Sequence, residues 1–225
     1  MILSCRIHTQ AAGRAWVAAL PVSIEEWGLF VRTREYFNDA HWEGGRFAGA
    51  SGGDAALTAV GFAWVRRHAR VGAVTYCEAQ AYCTSRGGRL PWLQECRSLD
   101  AAFQCLDRGQ VDRMAAWLPE DRRTEFWRPV GHPEWCGDWF NATADGPDVR
   151  AEGPLRRRIT ADPWCMVSTS RNPHLGFRVA YPRVLGAYGS DVAGWEWIEP
   201  PTAEASALSD ARHGRGTDLR QQRTR

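Results

Sequence analysis

No stretch of this 225-residue chain stays apolar for long. The longest runs, residues 15–22 and 59–65, fall far short of the roughly 20 apolar residues a membrane-spanning helix needs. The start, Met1-Ile-Leu-Ser-Cys-Arg6, lacks a basic region followed by a long apolar core. No signal peptide is therefore expected, and the reading that follows is a cytoplasmic protein. The seven cysteines (Cys5, Cys77, Cys83, Cys96, Cys105, Cys136 and Cys165) include no Cys-x-x-Cys pair. That disfavours zinc ribbons and thioredoxin-type sites, which need close thiol spacing. Without an export signal, these thiols are expected to be reduced and to pack as small hydrophobes. The six histidines never form His-x-His or His-Glu-x-x-His, and the chain has neither a phosphate loop nor a Gly-x-Ser-x-Gly elbow. Charge of one sign is also scarce: 28 basic and 26 acidic residues are mixed along the chain, for a net charge of +2. Neither nucleic acid nor an anionic membrane is indicated as a partner.

Aromatic side chains are abundant. Twelve tryptophans and an aromatic share of 11% mean that large flat rings are either buried together or presented to a ligand. An apolar share of 44% and a charged share of 24% indicate a folded domain. The opening reads as strands over residues 2–8 and 15–20. Ser23 with Glu26, and Thr75 with Glu78, form capping boxes that start two helices. In the first helix Ile24, Trp27, Phe30 and Val31 share a face; in the second Tyr76, Ala79, Tyr82 and Cys83 do so. Gly87-Gly88 stops the second helix, and Arg89-Leu-Pro91 leads into another carrying Leu93, Cys96, Leu99 and Phe103. One or two helical turns are expected over residues 112–118, ended by Pro119. From Phe126 onward the pattern is short strands and long loops, with a last strand over residues 176–181. Residues 44–53 read as an exposed glycine-rich loop, and the tail beyond about residue 200 has little to bury and reads as disordered.

Four stretches in order resemble the formylglycine-generating-enzyme, or sulfatase-modifying-factor, family. They are Pro21-Val-Ser-Ile-Glu-Glu-Trp-Gly-Leu-Phe-Val31; Val71-Gly-Ala-Val-Thr-Tyr-Cys-Glu-Ala-Gln-Ala-Tyr-Cys83 with Gly87-Gly-Arg-Leu-Pro91; Glu134-Trp-Cys-Gly-Asp-Trp-Phe140; and Gly176-Phe-Arg-Val-Ala180. The resemblance covers about residues 15–181. It implies an α+β, C-type-lectin-like fold with two main helices, short strands and much irregular loop. The domain is expected to span residues 1–183, with a C-terminal extension over 184–225.

Active members of that family hold copper with two cysteines, because soft thiolates suit Cu(I). The corresponding stretch here is Thr160-Ala-Asp-Pro-Trp-Cys-Met-Val-Ser-Thr-Ser-Arg171. Cys165 sits one place early, Met166 occupies the first cysteine's position, and Arg171 the second's. The resemblance therefore implies a catalytically degenerate member that acts as a binding module for a protein or small-molecule ligand. Trp127, Trp135, Trp139, Trp164 and Arg171 are its candidate ligand-binding residues, with Phe126 beside them. The alternative is a copper- and oxygen-dependent oxidoreductase with rearranged ligands around Cys165 and Met166. Calcium is a further candidate, since Glu134 matches a family ligand position and Asp138, Asn141, Asp145 and Asp148 supply hard oxygens. A diversified receptor on the same scaffold is a narrower reading that the short loop before Gly176 disfavours. Arg89 and Arg178, each beside apolar residues, are expected to satisfy loop carbonyls. Trp135 and Trp139, flanking Asp138, could also wall the core.

Overall fold

The computed structural model describes residues 1–9, 13–42, 70–126, 133–139, 156–159, 165–167, 171–190 and 192–201. Strand β1 (Ile2–Thr9) buries Leu3, Cys5 and Ile7 and exposes Arg6 and His8, as a period of two requires. It pairs antiparallel with β2 (Gly13–Ala18), Cys5 opposite Val17. A second sheet, antiparallel throughout, joins β3 (Trp135–Trp139), β4 (Arg156–Ile159) and β5 (Cys165–Val167) in that order.

The main sheet is completed by β6 (Ala180–Tyr181), β7 (Gly186–Gly189) and β8 (Trp195–Glu199), in the order β6-β2-β1-β8-β7, all antiparallel. The extension expected from residue 184 thus contributes two strands, one of them beside the N-terminal strand. Strand β8 buries Trp195 and Ile198 and leaves Glu196 and Trp197 partly accessible. Of the strand expected over 176–181, only Ala180–Tyr181 is strand, with an isolated bridge at Gly176. Residues 44–53 and 202–225 lie outside the described residues.

The helices begin where local chemistry places them. Ser23 Oγ accepts from the Glu26 amide at 3.1 Å, and the Glu26 carboxylate accepts from the Ser23 amide at 2.8 Å, starting α1 (Ile24–Val31). Thr75 and Glu78 repeat this for α2 (Tyr76–Ser85). That helix closes on Gly87, whose φ of 70° is left-handed, with the Gly88 amide donating back to the Cys83 carbonyl at 2.9 Å. Gly88 is needed for a separate reason: a Cβ there would lie 2.5 Å from Val179 Cγ1.

The helical part exceeds the two main helices expected. After α3 (Leu93–Gln104), Asp107 and Gln110 form a third capping box and extend the expected turns into a full helix, α4 (Arg108–Ala116). Pro119 follows it and opens another, α5 (Glu120–Phe126), its carbonyl accepting from the Arg122 amide at 2.8 Å.

The sheet separates two apolar clusters. Leu3, Cys5, Ile7 and Val17 pack with Leu99 and Phe103 of α3, Met114 of α4, Phe126 and Trp195. Trp16, Tyr181 and Ile198 join Trp27, Phe30, Tyr36, Tyr82, Trp135 and Phe177 in the other cluster. Rings there meet edge to face, as with Phe30 and Tyr82 at 5.3 Å and 82°.

Candidate functional site

The stretches that carry the family resemblance are far apart in sequence and bonded to one another in the structure. Arg89 bridges Ala180, and Glu134 bridges Gly176. The Val22 amide donates to the Phe177 carbonyl at 2.9 Å, and the Gly137 amide to the Pro91 carbonyl at 2.9 Å.

Three buried carboxylates lock this junction, and each faces an arginine. The sequence contains no lysine, so all 28 basic side chains are guanidinium groups able to span two oxygens. Arg178 Nε and Nη2 donate to Glu134 Oε2 and Oε1, both at 2.6 Å, and its Nη1 donates to the Ala19 carbonyl at 3.0 Å. Burial acts to lower the Arg178 guanidinium, but the Glu134 charge and hydrogen bonds outweigh it and hold the group above its ordinary value. Arg89 donates to both Glu95 oxygens at 2.7 Å. Arg171 Nη2 donates to Glu78 Oε1 at 2.8 Å, beside the Tyr36 hydroxyl at 3.0 Å. Its Nη1 donates to the carbonyl of Ala73, a non-glycine residue held at φ 57°.

This arrangement reassigns several expected site residues. Glu134 has both oxygens engaged by a buried guanidinium, so a calcium ion there would have to displace Arg178. Asp138 is a helix cap: its Oδ1 accepts from the Leu93 amide at 2.9 Å. The first residue before α3 is Trp92, whose indole has no acceptor, so Asp138 and the Glu95 carboxylate satisfy the helix start instead. Trp135 is fully buried, and its Nε1 donates to the Val74 carbonyl at 2.8 Å; it belongs to the core rather than to a ligand surface. Phe126 is likewise buried. Arg171 is an ion-pair partner of Glu78, with its side chain 26% exposed.

Cys165 and Met166 lie on β5, in register with Arg158 and Arg157, and Trp139 lies on β3 opposite Arg157. Trp127, Trp164, Asn141, Asp145 and Asp148 lie outside the described residues. Among the described residues, no group of three His, Cys, Asp or Glu side chains could hold a metal ion, and no helix is long and apolar enough to cross a membrane.

The structure opens a groove elsewhere. A cavity of about 610 Å³ is lined by apolar side chains, Leu3, Val22, Val179, Tyr181, Trp117 and Trp197 among them, and by the charged Glu25, Glu26, Arg86 and Arg122. Trp117 and Trp197 also line an adjoining cavity of about 370 Å³ with Met114 and Val192. Trp117, directly after α4, is 75% exposed.

The groove's charges are unevenly satisfied. Glu26 accepts from Ser23 and from Arg122 Nη1 at 3.3 Å, and Arg122 Nη2 donates to the Pro21 carbonyl at 2.8 Å. Arg86 is exposed, lies 5.2 Å from the Tyr82 ring centroid, and makes no ion pair among the described residues. Burial pushes the Tyr82 and Tyr181 phenols up, which keeps both protonated at neutral pH. None of Trp117, Trp197, Arg86 or Arg122 stood out in the sequence. The available signals were an indole just past the apolar positions of α4 and the Trp195-Glu-Trp197 alternation.

No protein-family model matches this chain, and no curated protein matches it.

Proposed function

We propose that this chain is a non-catalytic binding module, a divergent formylglycine-generating-enzyme-like domain on a C-type-lectin-like frame, with its ligand site in the Trp117 groove. The frame reading is supported by the direct bonding of the four family-like stretches through Arg89, Glu134, Gly137 and Phe177. The binding reading rests on one observation: an indole that is 75% exposed lines two cavities, each with apolar side chains on its wall. Large exposed rings beside a concave apolar surface favour a ligand, and tryptophan and arginine are the side chains that most often dominate such contacts. Arg86 supplies a cation on the same cavity that has no carboxylate partner among the described residues. The fitting ligand carries a bulky apolar or aromatic group next to a carboxylate, the ring meeting Trp117 and Trp197 and the anion meeting Arg86.

A ligand-observed NMR titration with N-acetyl-L-tryptophan and its uncharged amide tests this. The acid is expected to bind at one site. Trp117→Ala abolishes that binding without changing the melting temperature. Arg86→Gln weakens the acid by about tenfold and leaves the amide unchanged, the loss of one charge-assisted contact. Absence of binding, or equal binding by both variants, contradicts the proposal.

A further inference from the structure

Cys96 and Cys136 are separated by roughly 40 residues of chain, a long loop in the sense of disulfide entropy. In the fold they form a small buried cluster with Leu93, between α3 and β3. The Cys136 thiol is fully buried, donates to the Glu134 carbonyl at 3.8 Å, and packs beside Cys96 in that cluster. Two further bonds hold the backbones together around the pair. The Gly137 amide donates to the Pro91 carbonyl at 2.9 Å, and the Leu93 amide donates to Asp138 at 2.9 Å. The two sulfurs are therefore brought together by elements fixed independently of them. Both are free thiols.

We propose that Cys96 and Cys136 are a disulfide-forming pair, a redox modification site that takes glutathione disulfide or a like disulfide as oxidant and staples α3 to β3. A Cys96 thiolate attacks glutathione disulfide, forming a mixed disulfide and releasing one glutathione thiolate. The Cys136 thiol then loses its proton and displaces the second glutathione, so two protein thiols are oxidised and one glutathione disulfide is reduced to two thiols. The Cys96 thiol and burial raise the Cys136 thiol well above its ordinary value, so closure is slow in the resting fold and proceeds during transient opening. Once formed, the bond lies in the core and exchanges only during such opening.

The full-length protein, incubated across graded ratios of reduced to oxidised glutathione, acid-quenched and alkylated in denaturant, provides the test. Peptide mapping of the wild type is expected to show two of the seven thiols lost together and one peptide joining Cys96 to Cys136. The oxidised form should melt about 5–10 °C higher, and the gain should vanish in Cys136→Ala. Retention of all seven thiols at the most oxidising ratio, or first closure between other cysteines, overturns the proposal. The mapping needs no variant, so poor folding of Cys136→Ala leaves the result decisive.

Discussion

The Arg178 guanidinium closes on both oxygens of Glu134 at 2.6 Å, and the two side chains are 4% and 5% exposed. Their residues belong to two of the family-like stretches, and the contact ties the β3 entry to the segment leading into β6. Removing one partner leaves a charge buried without its counterpart, the costly way to break such a pair. Arg178→Met is expected to cost about 3–5 kcal/mol, measured by urea unfolding. Replacing both residues together, Arg178→Met with Glu134→Leu, should recover most of that loss, because no orphaned charge remains. A double variant as unstable as the single one would contradict the pairing.

Asp138 was a candidate calcium ligand in the sequence and is a remote cap for α3 in the structure. Asp138→Ala should cost about 1 kcal/mol, the usual loss for a helix cap, while Asp138→Asn keeps an acceptor and most of the stability. The check is a melting series run with and without added calcium. A calcium-dependent rise in melting temperature confined to the wild type would favour the metal role instead.

Asp100 provides the pH dependence. Burial raises its carboxyl above the ordinary value of 3.8, with the Glu134 charge adding to the rise and Arg178 opposing it. A folded value above the unfolded one favours the protonated fold, so this contribution is present below pH 3.8 and is lost as the pH rises through the raised value. Asp100→Asn removes the loss. Its stability advantage over the wild type should therefore be small near pH 4, grow with rising pH, and level off by neutrality. A pH-independent difference would show that Asp100 is not titrating in the fold.

Local chemistry was legible in the sequence, and long-range partnership was not. The boxes at Ser23–Glu26 and Thr75–Glu78 are visible because both members lie within one helical turn. The second use of Glu78, as the partner of Arg171, joins residues 93 positions apart and leaves no local mark. Trp135 and Trp117 look alike in sequence, yet one is sealed beneath Val74 and the other stands outside the fold. Spacing places an indole on a strand or after a helix but does not say which face the rest of the chain covers. Strands β7 and β8 escaped notice because each is short, and the pairing of β8 with β1 spans nearly the whole chain.

The groove assignment is tested most directly by indole NMR. The protein's twelve tryptophans each give one side-chain resonance, assigned by substitution and followed while N-acetyl-L-tryptophan is added. The Trp117 and Trp197 signals are expected to shift and saturate together, while the buried Trp27 and Trp135 signals stay in place. Shifts confined to other indoles, with Trp117 unmoved, would contradict it.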